Sequence, residues 1–230
     1  NIMVRYELKF AFSDDMYDYL LHTIKNHPAF FSEVFYQRQI NNIYFDTINF
    51  KHYWENTNGT GTREKYRIRW YGDTFGSISL PILEIKRKFG LVGDKISQRC
   101  PSFELTNDFS WFDYAHEINN YTSDIDNVES IMHLKNLVSQ NPVIINNYQR
   151  RYFLTADKRI RLTIDSGINY LKISPNYVAS NYTEDRKIIV EIKFDKDCAL
   201  EAEKVTNNFN WRLARNSKYV NGVDLLYSSN

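Results

Sequence analysis

Cysteine is scarce in this chain of 230 residues: Cys100 and Cys198 are too few for a disulfide framework. That scarcity fits a reducing compartment, so a cytoplasmic location is expected. Long apolar runs are missing as well. No stretch reaches the ~18 apolar residues of a membrane-spanning helix, so no span is expected, and any link to a membrane would come through a partner. Neither sign of charge is in excess. The 29 basic and 28 acidic residues leave a net +1, which predicts no general attraction to nucleic acid or to lipid. Histidine is sparse at five, and there is no nucleophilic Ser-His pair, no Gly-rich phosphate loop and no Cys/His zinc cluster. An initial Met is also lacking, which leaves a removed leader open. Low-complexity segments and linkers are not found. A single domain over residues 1–230 is therefore expected, long enough to bury a sizeable core.

What the chain does have is aromatic residues, at 16%, and strands. VRYELKF (4–10), NNIYFDT (41–47), EKYRIRWYG (64–72), PILEIKRK (81–88), QRRYFLT (149–155), RIRLTIDSG (159–167) and KIIVEIKF (187–194) alternate or are rich in β-branched and aromatic residues. KISQRC (95–100) and INYLKI (168–173) are shorter candidates. Three helical stretches separate them. Residues 13–26 open on Ser13 as a cap, with Asp14 and Asp15 behind it. Residues 108–139 read as two helices broken near NNYTSD, and 198–213 carries the stripe Cys198, Ala202, Val205, Phe209. The apolar sides of these helices predict that they lie on the apolar faces of the strands.

The opposite strand faces are charged. Arg67 and Arg69 share a face against Tyr66, Ile68 and Trp70; Glu84, Lys86 and Lys88 share one against Leu83 and Ile85. Glu7 with Lys9, Glu191 with Lys193, and Arg159, Arg161, Thr163 and Asp165 repeat the pattern. A one-sided antiparallel sheet in water accounts for any one such strand. For the set it accounts less well, because Arg, Lys and Glu dominate and like charges recur two residues apart, where they destabilise a sheet. Two cations ~6 Å apart in a partly buried site repel by ~3 kcal/mol, so such a face calls for an anion of high charge density. The glutamates among them could pair with cations or hold a divalent ion through oxygen. That combination suits a phosphate chain with Mg²⁺ or Mn²⁺, and catalysis by positioning and electrostatics.

The pattern resembles the triphosphate tunnel metalloenzymes and, more narrowly, the VTC (vacuolar transporter chaperone) domain, the polyphosphate polymerase module. The resemblance runs over NNIYFDT, YRIRWYG, LEIKRK, YQRRYF (148–153), RLTID (161–165), VEIKF (190–194) and RNSKYVNGV (215–223), in the family order. It implies an antiparallel tunnel barrel with helices packed outside, an α+β fold whose basic residues bind triphosphate or polyphosphate. It also implies a role for each matching residue. Lys9 is the tunnel lysine of the first strand; Arg67, Arg69, Lys86 and Lys88 clamp phosphates; Arg150 and Arg161 follow from the next two motifs. Tyr148 stands at the tunnel wall, Glu191 holds the metal with Lys193 beside it, and Arg215, Ser217 and Lys218 form a phosphate-binding element. Arg215 stands where the family's Lys-x-Ser-Lys element has lysine. Arg5 stands where tunnel phosphatases with the CYTH signature carry the first glutamate of Glu-x-Glu-x-Lys, which favours the VTC branch.

The function implied is transfer of the ATP γ-phosphate onto a polyphosphate chain, with Mn²⁺ or Mg²⁺ as cofactor and no nucleic acid among the partners. Two alternatives stay open at this point: hydrolysis of triphosphate or polyphosphate on the same fold, and a non-catalytic polyphosphate-binding module. Bland roles stay open too. Lys9, Lys86 and Lys193 could pair with Glu7, Glu84 and Glu191, and Lys218 could follow a helix end, where a cation suits the dipole. Arg159, Lys95 and Arg99 read as surface charges.

Overall fold

The computed structural model describes residues 5–90 and 92–227, without the side chains of Arg5 and Val92. Val4, which opens the first expected strand, lies outside the described residues. The chain divides into two compact units, each assembled from separated stretches. The first comprises residues up to Gln39, Tyr148–Ile168 and Glu184–Ser217; the second comprises Ile40–Asn147, Asn169–Thr183 and the chain from Lys218 on. The fold is α+β, and the strand registers that are defined are all antiparallel. Among the described residues no helix is long and apolar enough to cross a membrane.

The first unit holds β1 (Arg5–Ser13), α1 (Tyr17–Lys25), β12 (Lys187–Asp195) and α5 (Ala199–Phe209), with parts of β2 (Ser32–Asp46), β8 (Asn141–Leu154), β9 (Ile160–Ser174) and β11 (Thr183–Asp185). Strand β12 lies between β1 and β9, with Lys9 opposite Glu191 and Glu191 opposite Thr163. The alternation then does what the sequence requires. Phe10, Leu162, Ile164, Val190 and Ile192 fall on one face, where they pack with Leu20 and Ile24 of α1 and Ala202, Val205 and Phe209 of α5. Each such side chain contributes about 1.5–3 kcal/mol of burial. Ser13 does not cap the helix as expected. It precedes a 3-10 turn at Asp14–Met16 without a side-chain hydrogen bond, and α1 begins only at Tyr17.

The second unit holds α2 (Lys51–Thr57), β3 (Thr62–Tyr71), β4 (Gly76–Ile78), β5 (Ile82–Phe89), β6 (Val92–Arg99), β7 (Phe103–Leu105), α3 (Trp111–Tyr121), α4 (Val128–Val138), β10 (Tyr177–Val178) and α6 (Lys218–Tyr227), with the remaining parts of β2, β8, β9 and β11. Strands β2, β3, β5 and β6 pair in that order. Their apolar face, with Ile43, Tyr66, Ile68, Trp70, Leu83 and Ile85, packs against Trp111, Tyr114 and Ile118 of α3 and Leu134 and Leu137 of α4. The break between α3 and α4 falls at the expected NNYTSD, and both helices are side-chain capped, by Ser110 and Asn127. Helix α2 is anchored by Asp46, which accepts from the backbone N–H groups of His52 and Tyr53 and from the Tyr219 hydroxyl of α6. Helix α6 is tight against its neighbours: a Cβ on Gly222 would lie 2.5 Å from Ile144 Cδ1 and 2.6 Å from Tyr170 Cδ1.

Candidate functional site

The charged face of the second unit is strongly basic. Register sets Arg67 opposite Glu84, Lys65 opposite Lys86, Arg63 opposite Lys88, and Lys86 opposite Lys95. Directly opposed residues share a face, so Arg63, Lys65, Arg67, Arg69, Lys86, Lys88, Lys95 and Arg99 lie on the same face as one carboxylate of these three strands, Glu84. Lys65, Lys86 and Lys95 form a row across three strands. Cations about 5 Å apart at an effective dielectric near 20 repel by about 3 kcal/mol per pair. Glu84 is 5% exposed and gathers what it can. Arg67 donates to it from Nε at 2.8 Å and from a terminal nitrogen, Arg69 stands 3.5 Å away, and the Lys95 ammonium reaches its other oxygen. Burial pushes the Glu84 carboxyl up, but Arg67, Arg69 and Lys95 outweigh burial and hold it well below the usual carboxylate range.

Two further groups fix the arginines. Arg67 also donates to the Tyr44 hydroxyl at 3.3 Å, and Arg69 Nε donates to Asn42 Oδ1 at 2.9 Å. Lys218 is buried at the first position of α6. It does not follow a helix end. An ammonium there meets the positive end of the helix dipole, so the local field favours an anion beside it.

The charged face of the first unit is nearly balanced. Lys9 Nζ lies 2.9 Å from Glu7 and 3.5 Å from Glu191, and donates to the Asn216 carbonyl at 3.1 Å. Lys193 Nζ lies 3.0 Å from Glu191 and 3.8 Å from Glu7. Two lysines and two glutamates thus interlock, with the Glu191 side chain buried. Arg161 stands opposite Lys193 on the same face and is exposed. Arg150 is buried and makes two hydrogen bonds with the fully buried Asp165, with its guanidinium 5.4 Å above the Tyr148 ring. Burial pulls the Arg150 pKa down, but Asp165 more than reverses it. Arg215 is exposed and Ser217 half-buried in the segment before α6.

The structure therefore brings together Lys9, Glu191 and Lys193 in one unit and Arg67 and Arg69 in the other, with Lys86 and Lys88 on the latter face. Glu84, Lys95, Asn42 and Asp165 organise these groups, yet none was marked by the sequence motifs as a site residue. Lys95 had read as a surface charge; it remains half-exposed, but its ammonium points at Glu84. For Glu84 a signal existed, the Glu-x-Lys shared by YELKF, LEIKRK and VEIKF. Two surface hollows of the second unit, about 450 and 420 Å³, lie elsewhere, around Phe103–Glu117 and Trp70–Leu80, and no residue of the basic face lines them.

A divalent ion can be tested against these donors. Among the described residues no three His, Cys, Asp or Glu side chains gather as a metal cage. Glu191 and Glu7 each contact Lys9 and Lys193, and one or two carboxylates are enough for the mode in which phosphate oxygens complete the shell of Mg²⁺. The residues fit a metal brought with phosphate.

These features define an α+β protein with one strongly basic strand face and one on which lysines and glutamates are paired. Solved structures are similar to this chain, and the first named below shares its fold. A candidate adenylate cyclase from Vibrio parahaemolyticus aligns over 94% of this chain and 95% of its own, with a TM-score of 0.50 and 10% identity. A Hippeastrum candidate adenylyl cyclase, described as having a dominant triphosphatase activity, aligns over 99% of both chains at 12% identity and a TM-score of 0.48. No curated protein sequence matches. The VTC domain profile matches residues 4–227, and the chain belongs to the VTC domain family.

Proposed function

We propose that this chain acts as one functional VTC-type tunnel domain, a metal-dependent phosphotransferase that moves the γ-phosphate of ATP onto a polyphosphate chain and releases ADP. One observation carries the reading: the eight cations that share a single strand face with the one carboxylate Glu84, a charge density that only a polyanion offsets well. Family membership supports it. In the proposed step a terminal phosphate oxygen of the acceptor attacks the γ-phosphorus, and the bond to the ADP oxygen breaks. The attacking oxygen is already ionised at neutral pH, so no general base is required, which agrees with the lack of a His or Ser-His pair at these faces.

Arg67, Arg69, Lys86 and Lys88 hold phosphates on one face; Lys9, Lys193, Arg161 and Arg150 with Tyr148 serve the other; Lys218, Arg215 and Ser217 guide the chain. Glu191, with Glu7, would hold Mn²⁺ or Mg²⁺, which when bound neutralises charge on phosphate oxygens. The test is incubation with ATP and Mn²⁺, with products resolved by gel and by phosphorus NMR. A ladder of polyphosphate with ADP supports the proposal. Free phosphate without chains replaces it with hydrolysis, and unchanged ATP with tight tripolyphosphate binding replaces it with a binding module. Glu191→Ala is expected to abolish turnover more than binding, and Arg67→Ala to weaken both. Normal turnover by either variant removes that residue from the site.

A further inference from the structure

Within the second unit a line of side chains runs from the basic face to β8. Arg69 donates its Nε–H to Asn42 Oδ1 at 2.9 Å, and Asn42 Nδ2 donates to Asn146 Oδ1 at 2.8 Å. Asn42 and Asn146 are fully buried. At the far end, Asn146 Nδ2 is buried and meets no acceptor. Buried donors without a partner are rare in native proteins, and where they occur a water or a ligand usually answers them.

The direction of this line is not adjustable. A guanidinium only donates, so Asn42 must turn its oxygen to Arg69 and its NH₂ group onward. Asn146 must then turn its own oxygen to Asn42. What remains is an amide NH₂, a donor with no lone pair to offer, polarised by the cation at the start of the line. Such a group accommodates an acceptor-only oxygen and disfavours a cation. The amides on the opposite strand faces differ. Asn147 donates to Thr74 at 3.0 Å, Thr74 to Asn41 at 2.8 Å, and Asn169 to Asn147 at 3.2 Å, so they satisfy one another.

We infer that Asn146 is an anion-binding residue whose amide donates to a non-bridging phosphate oxygen of a polyphosphate held on the basic face. This rests on the phosphate-transfer reading above. It adds a neutral donor of fixed orientation to a set of charged side chains, and so a geometric preference that charge alone does not supply.

The experiment is calorimetric titration of tripolyphosphate into the wild type and the variants Asn146→Ala, Asn146→Asp, Asn169→Ala and Arg67→Ala. Asn146→Asp still accepts from Asn42 but presents a carboxylate oxygen where the NH₂ stood. Expected are a roughly tenfold weaker Kd for Asn146→Ala, the scale of one hydrogen bond to a charged group, and a roughly hundredfold loss for Asn146→Asp. Asn169→Ala, which disturbs only the opposite amides, keeps the wild-type Kd even where its Tm falls. Should Asn146→Asp fail to fold, Asn146→Leu, of similar size and without a donor, takes its place with the tenfold expectation. Binding by the Asn146 variants within twofold of wild type, while Arg67→Ala weakens it, overturns the role of Asn146 and leaves the phosphate reading intact. A wild type that binds no tripolyphosphate overturns both.

Discussion

Replacing Glu84 by Gln tests how the basic face exists at all in the absence of ligand. The carboxylate is buried and touches Arg67, Arg69 and Lys95. Glutamine keeps its shape and removes its charge. Breaking a buried ion pair from one side costs about 3–5 kcal/mol, because the remaining charges lose their compensation. For a chain of this length each kcal/mol lowers Tm by roughly 2–4 °C, so Glu84→Gln is predicted to lose about 6–20 °C in calorimetry at pH 7. Tripolyphosphate at about 100 times its Kd should stabilise the wild type by about 2.7 kcal/mol. It should stabilise the variant more, since the anion then replaces the missing charge.

The pH dependence has a definite sign. Glu84 titrates below its ordinary value of 4.5 because the three cations outweigh burial. Its contribution is therefore complete above about pH 4.5 and fades as pH falls through the lower folded value. The gap in Tm between wild type and variant should stay constant from pH 7 to about 5 and narrow on further acidification. A Tm within 2 °C of wild type at pH 7, or an equal gain from tripolyphosphate in both proteins, would refute the reasoning.

Other predictions follow from named contacts. Asp165→Asn strands the buried Arg150 and should cost about 3–5 kcal/mol in urea unfolding, whereas a change below 1 kcal/mol would mean that Arg150 finds another partner. Gly222→Ala reverses the usual helix preference: the added methyl collides with Ile144 and Tyr170, so a loss of about 1–3 kcal/mol is expected instead of a gain, measured by thermal melt. Ser110→Ala removes the cap of α3 and should cost about 1 kcal/mol, with helix content otherwise retained by circular dichroism.

The charged faces were legible because alternation is a local property: Arg67 with Arg69, and Lys86 with Lys88, needed only strand parity. Partner choice was not legible, since register depends on turns and on pairings between distant segments. Nothing in LEIKRK shows that Glu84 meets Arg67 while Lys86 meets Lys65 and Lys95. Among the elements missed, two have a plain physical reason. The early part of β2, SEVFYQRQ, places Val34, Phe35 and Tyr36 at successive positions and so offers no alternating face to read, and in the fold its side chains are mostly exposed. Helix α6 carries Gly222 in its interior, which lowers helix propensity, yet only glycine fits beneath Tyr170. That omission left open a place for Lys218 past a helix end, whereas it begins one.

The interleaved make-up of the two units bears on how the chain comes into being. Each is stitched from three stretches, and the second requires residues from Lys218 on, including the Tyr219 that reaches back to Asp46. During synthesis at roughly 5–20 residues per second, the first unit lacks its last stretch until Ser217 has emerged, and the second until the residues after it have. Pairings between such distant segments make for slow folding, with strands left open meanwhile. No single cut of the gene isolates either unit. The two are inherited, made and lost together.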